Sequence, residues 1–249
     1  MKKIVFLIFI MVIGILPITT YAKNNDDLIL LSETTKYYKT VTLFPTDSLM
    51  KNSENSELSI EITEEEYNQA SNIALYNITG NGSTETNYKK ITTSIYQNGN
   101  YYRYKIDLSW KTMPSTRSYD IIAIGINPSV KIASSLHFNQ YYCFTNGQCI
   151  NNGTFYEKKS STGAGASFKL PTGNLNSLSS TLYFDVSKNV DATIIQQDAY
   201  GDYSHATKTV SVSQAQNYNI GATGINLNSS IRNSYDSVSV TRAIWSGSW

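Results

Sequence analysis

The sequence predicts an all-β protein, a mainly antiparallel β-sandwich of about 10–11 strands with one short N-terminal helix. Three observations lead there. Beyond residue 85 the apolar residues recur with period two; Gly, Asn and Ser interrupt these runs at hairpin spacing; and no helical pattern follows each strand, as a parallel α/β design would require.

The N-terminus sets the compartment. Met1, Lys2 and Lys3 form a positive start, residues 4–16 are apolar, and "PITTYA" brings small residues to a cleavage point near Ala22. This is the pattern of a secretory signal peptide. The apolar stretch is shorter than the roughly 20 residues of a membrane span, so the mature chain is expected to be secreted and to carry no transmembrane segment. The expected organisation is a signal peptide over 1–22, an acidic leader with a short helix over 23–84, and a β-sandwich domain over 85–249. From residue 23 to 80 there are ten acidic and four basic residues, a net of −6; from 81 onward the net is +5. So dilute a basic body is not a nucleic-acid footprint, which needs clustered Lys and Arg.

In the leader, Thr63 followed three residues later by Glu66 in "TEEEYNQASNIAL" is a capping-box pattern, with Tyr67, Ala70 and Ala74 on one helical face. The preceding "LMKNSENSELS" is polar and reads as a linker. In the body, Asn98-Gly99 predicts a hairpin. It leads into the clearest strand, where Tyr102, Tyr104, Ile106, Leu108 and Trp110 alternate with Tyr101, Arg103, Lys105, Asp107 and Ser109. "YDIIAIGI" is apolar on both faces and reads as a central strand. Leu182, Phe184 and Val186 mark another, while "VDATIIQQ", "TVSVS" and "SVSV" are expected to be strands as well.

The only two cysteines, Cys143 and Cys149, flank "FTNGQ". In an exported chain they are expected to pair. A three-residue loop of Thr145, Asn146 and Gly147 sets Gly147 where a bulged turn needs a left-handed residue and places Cys143 opposite Cys149. A redox or metal reading needs C-x-x-C or further ligands, and only His137 is near.

The segment 86–126, above all "WKTMPSTRSYD", resembles a set of uncharacterised small secreted proteins of low-GC Gram-positive bacteria. The resemblance implies export and no activity. Physically, Trp110 ends a strand, Met113-Pro114 turns the chain, and Arg117 with Asp120 reads as a local ion pair.

Catalytic machinery is hard to find. There is no H-E-x-x-H, nucleophile elbow or phosphate-binding glycine loop, and no catalytic residue, metal or cofactor is assigned. The one polar constellation is "DAYGDYSHATK", in which Asp198, Asp202 and His205 are candidates for a metal or acid–base site. Its Gly201 and surrounding Ser and Tyr read as an ordinary hairpin loop. The composition, with nineteen tyrosines and 16% charged residues, suits a non-catalytic binding or surface-interaction module for a surface glycan, cell-wall polymer or protein. Tyr101, Tyr141, Tyr200 and Tyr203 are the candidate ligand contacts. Two alternatives stand beside it. One is a pore-forming, membrane-active protein built on "STGAGASF" and the Ser/Thr-rich strands; the other is an extracellular hydrolase of unrecognised type.

Overall fold

The computed structural model describes residues 28–43, 56–73 and 86–249. The signal-peptide region and Ala74 lie outside the described residues, as do residues 49–55 of the expected linker, whose residues 56–59 belong to strand rather than to a linker. In chain order, β1 is Leu28–Leu43, β2 Ser56–Ile62 and helix α1 Glu64–Ile73. β3 is Thr86–Asn98, β4 Tyr101–Trp110, β5 Tyr119–Ile126 and β6 Val130–Ile132. β7 is His137–Phe144, β8 Cys149–Asn152, β9 Tyr156–Ser160 and β10 Gly163–Lys169. Then come β11, Leu175–Lys188, β12, Gln196–Ala206, and helix α2, Val212–Ala215. The chain continues with β13, Tyr218–Gly221, β14, Gly224–Leu227, helix α3, Ser229–Arg232, β15, Tyr235–Ser237, and β16, Thr241–Ser246.

These strands form two antiparallel sheets and a small hairpin, with more and shorter strands than the sequence predicts. The larger sheet runs β2-β1-β3-β4-β11-β7-β8, with β6 on the end of β11; the smaller runs β15-β12-β5-β10-β9, with β16 also on β12. Their inner faces share one core, in which Ile91, Ile95, Tyr104, Ile106 and Phe184 meet Ile122, Ile124, Phe168, Ala199 and Tyr203. The β4 alternation holds residue by residue, Tyr102 to Trp110 inward and Arg103 to Ser109 outward. β5 is buried on both faces as its sequence demands: Ile122, Ile124 and Ile126 face the larger sheet, while Ile121 and Ala123 pack under Ala215, Tyr218, Ile220 and Ile231.

The turns follow their chemistry. β3 and β4 join through Gly99 and Asn100, with Gly99 at φ 61°. At the other hairpin Cys143 pairs with Cys149, their sulfurs bonded at 2.03 Å, and Gly147 sits at φ 88° in the three-residue loop closed by Phe144 and Gln148. The α1 cap forms as well, the Glu66 N–H donating to Thr63 Oγ1 at 3.1 Å.

Five local expectations change. "DAYGDYSHATK" is no hairpin loop: through Ala206 it belongs to the continuous strand β12. Gly201 serves close approach there, since a Cβ would lie 1.9 Å from Thr93 Oγ1 on the facing sheet. "TVSVS" is not a strand, because Ser211 and Gln214 form a capping box that starts α2. In "VDATIIQQ" only Gln196 and Gln197 belong to a strand, and "SVSV" keeps a strand only at Ser237. Arg117 does not pair with Asp120; it donates to the carbonyls of Pro114 and Pro171.

The larger difference concerns the leader. Apart from α1, its described elements are sheet: β1 lies along β3 from Leu28↔Asn98 to Val41↔Thr86, and β2 lines β1 from Tyr37↔Ile62 to Leu43↔Ser56. Period-two reading missed β1 because "LILLSETTKYYKTVTL" breaks phase at a bulge between Leu30 and Ser32. A chain starting near Thr86 leaves the whole β3 edge unpaired. It is expected to lose its cooperative melt or to aggregate, as circular dichroism and size-exclusion chromatography would show; a melt equal to that of the full mature chain would contradict the paired edge.

Candidate functional site

Strand alternation separates the polar constellation of β12. Asp198 and Asp202 point to the outer side of the smaller sheet and His205 to the inner side. Asp198 accepts from the Arg242 guanidinium at 2.8 Å. Asp202 is buried beneath the β13–β14 hairpin and accepts the backbone N–H groups of Tyr203 and Ile225, each at 2.7 Å. No group of three or more metal-ligating side chains occurs among the described residues.

His205 belongs to a different, fully enclosed network. Its Nδ1 lies 3.0 Å from Asp120 Oδ2, the same carboxylate accepts the Tyr203 hydroxyl, and Asp120 Oδ1 takes the Ala206 N–H at 2.9 Å. Burial and the Asp120 charge push the Tyr203 phenol well above its usual range. Tyr203 is therefore a core residue and no ligand contact. Across β12, Asp236 stands opposite His205 in register. Its Oδ2 lies 3.3 Å from the ammonium of Lys89, whose side chain is 0% exposed. Lys89 also donates to Ser59 Oγ at 2.6 Å and to Thr40 Oγ1 at 3.3 Å, and sits 5.0 Å from the Trp110 ring centroid. Ser59 completes the link, giving its N–H to Asp236 Oδ1 at 2.9 Å and its hydroxyl to Oδ2.

Sequence reasoning passed over Lys89 although a signal was present: Lys89, Ile91, Thr93 and Ile95 share one strand parity, which puts a lysine in line with the apolar face. Asp236 carried no such signal, because only the β12–β15 register brings it across.

The accessible chemistry lies on the outer face of the larger sheet. The register aligns Lys105, Tyr183 and His137 in one row across β4, β11 and β7, and Tyr96, Arg103 and Asp185 in the next. The His137 ring stacks on Tyr183 with centroids 4.7 Å apart and planes 11° apart. The Arg103 guanidinium lies over the same tyrosine ring at 4.5 Å. It is held there by two contacts to Asp185, at 2.8 Å and 3.3 Å, and Asn98 steadies that carboxylate at 2.9 Å. The stack of guanidinium, phenol and imidazole is thus pre-organised, and Lys105 and Asp107 pair beside it at 2.8 Å. Tyr101 and Tyr141 are on the same face, 46% and 45% exposed. Tyr200 lies on the other sheet, half-buried with Arg242 5.3 Å from its ring centroid. Helix α1 covers the β1 end of the face, Tyr67 packing on Tyr37 at 4.9 Å, and leaves β4, β11 and β7 open.

No protein-family model matches the chain, and no curated protein matches it. Among solved structures, the N-terminal domain of the Streptococcus gordonii adhesin Sgo0707 superposes with TM-score 0.34 and 10% identity over 89% of this chain and 56% of that one. The KRT10-binding region domain of the pneumococcal serine-rich repeat protein PsrP gives 0.29 and 10%, over 80% and 99%. The collagen-binding domain of the Erysipelothrix rhusiopathiae surface protein RspB gives 0.28 and 8%, over 89% and 83%. Scores of this size assign neither family nor ligand.

Two consequences are measurable. Removing one member of the buried pair strands the other charge, so Asp236→Ala is expected to lower unfolding free energy by about 3–5 kcal/mol, and Lys89→Met with Asp236→Leu to recover most of it. Denaturant melts of the wild type and the two variants test this. Burial also pushes the Asp202 carboxyl up to about 7. A folded-state value above the unfolded one gives stability that is full below the ordinary carboxylate range and is lost as pH rises through about 7. The melting temperature is expected to fall between about pH 4 and about pH 7 and to level off above, and Asp202→Asn to flatten that slope.

Proposed function

We propose that the chain is an exported, non-catalytic binding module whose contact surface is the outer face of the larger sheet. The Arg103–Tyr183–His137 stack carries this reading. Its rings and guanidinium are fixed before any ligand arrives, so little side-chain entropy is lost on contact. Tyr101 and Tyr141 extend the face with amphipathic rings suited to glycans, cell-wall polymers or protein surfaces.

The alternatives find less support. Asp198, Asp202 and His205 face opposite sides of a strand and give a hydrolase no shared site. "GAGASF", the start of β10, lies wholly buried between β5 and β9, so a membrane hairpin made from it would have to leave the centre of the smaller sheet.

Tyr183→Ala and His137→Ala are expected to weaken binding to an immobilised panel of glycans, cell-wall polymers and proteins by about tenfold or more, with melting unchanged. Tyr200→Ala, on the opposite sheet, should leave binding intact. Wild-type affinity in the Tyr183 variant would reject this face.

A further inference from the structure

At the far end of β11 the outer face of the larger sheet runs into a cleft. Val130, Lys131, Ile132 and Ser134 line one side and Lys159, Ser160 and Ser161 at the β9–β10 turn the other, with Asn189 also lining it; the cleft is open to solvent and its volume is about 380 Å³. That is the size of a small-ligand site. The cleft and the aromatic stack are structurally joined: Ser134 Oγ accepts the Asp185 N–H at 2.8 Å, and Asp185 holds Arg103. In register, Lys131 stands opposite Ser187, the next outward residue after Tyr183 and Asp185, so its side chain extends the same outward row. Two alternate steps along a strand separate Tyr183 from Ser187, about 13 Å.

The charges in the cleft are unequal. Lys159 is already answered by Glu157 at 2.6 Å, and Asn189 Nδ2 donates to the Pro128 carbonyl at 3.2 Å. Lys131 is exposed and has no ion pair or hydrogen bond among the described residues. None of the residues lining the cleft is acidic, and Ser160 and Ser161 stand on the opposite wall, the Ser160 hydroxyl turned to Thr162 and the Ile220 carbonyl. A cation in a cleft without acidic residues fits a carboxylate, and the aromatic stack on the same face fits the sugar ring that carries it.

We infer that this cleft is the anion subsite of an elongated carbohydrate site, taking the carboxylate of an acidic sugar while neighbouring rings of the same chain lie on Tyr183 and His137. The inference rests on the binding face proposed above. In it, Lys131 selects for charge and the stack supplies contact that a neutral sugar shares.

The test is calorimetric titration of the full mature chain with an oligogalacturonate, its fully methyl-esterified form, and an oligoglutamate of equal charge. The acidic sugar is expected to bind about tenfold more tightly than the ester, and Lys131→Gln to erase that preference while leaving ester binding unchanged. Tyr183→Ala should weaken both sugars. Equal binding of acid and ester by the wild type would overturn the anion subsite and leave the face standing. An unchanged Tyr183→Ala variant would reject the face and, with it, this elongated site. Oligoglutamate binding as tight as the acidic sugar would reduce the cleft to bare charge attraction and overturn the assignment, and so would no binding of either sugar.

Discussion

A lysine ammonium placed between two β-sheets constrains everything around it. Lys89 is buried from solvent and meets Asp236, Ser59 and Thr40. A buried charge without partners would cost far more than the chain's net stability, so its three acceptors must all be in place. They come from β1, β2 and β15, parts of the chain up to 196 positions apart, and each must arrive in register. The N-terminal strands are therefore tied to the C-terminal region through Ser59 and Asp236, and again where Tyr38 and Glu61 hydrogen-bond Ser239. The buried Lys89–Asp236 pair gives specificity more than stability, since apolar residues of similar volume would pack about as well.

The same inner layer explains why the polar residues of β12 look catalytic in sequence and are not arranged as a site. Asp120, Tyr203 and His205 satisfy one another in the core, beside Trp110, whose ring centroid lies 5.2 Å from His205. Asp198 and Asp202 turn the other way, one to Arg242 and one beneath the β13–β14 hairpin. The second apolar face of β5 needs that hairpin and the two short helices as cover, and their placement leaves Asp202 dry. One requirement, covering both sides of a central strand, thus produces both the second core and a carboxyl group that resists ionisation.

The proposed contact surface is the face that packing does not use. On the outer side of β4, β11 and β7 the side chains are polar or aromatic and hold one another in fixed poses, with Asp185 orienting Arg103 and His137 flattening against Tyr183. The cleft at the end of β11 adds depth where β6 and the β9–β10 turn meet.

The sequence by itself determined the all-β class, the β4 alternation, the doubly buried β5, both hairpins, the disulfide and the α1 cap, because each depends on residues a few positions apart. Phase, turn chemistry and capping act within that range. Of the tyrosines it singled out as candidate contacts, Tyr101 and Tyr141 are exposed and Tyr203 is buried. Tertiary structure decided the rest. Whether Tyr203 or Tyr183 meets solvent depends on which face of its strand the other sheet covers, and local alternation leaves the two faces equivalent when both carry tyrosine. Lys89 with Asp236, and Arg103 with Tyr183 and His137, are made by strand register between distant segments. Register is a property of pairing, so a single strand's sequence does not contain it.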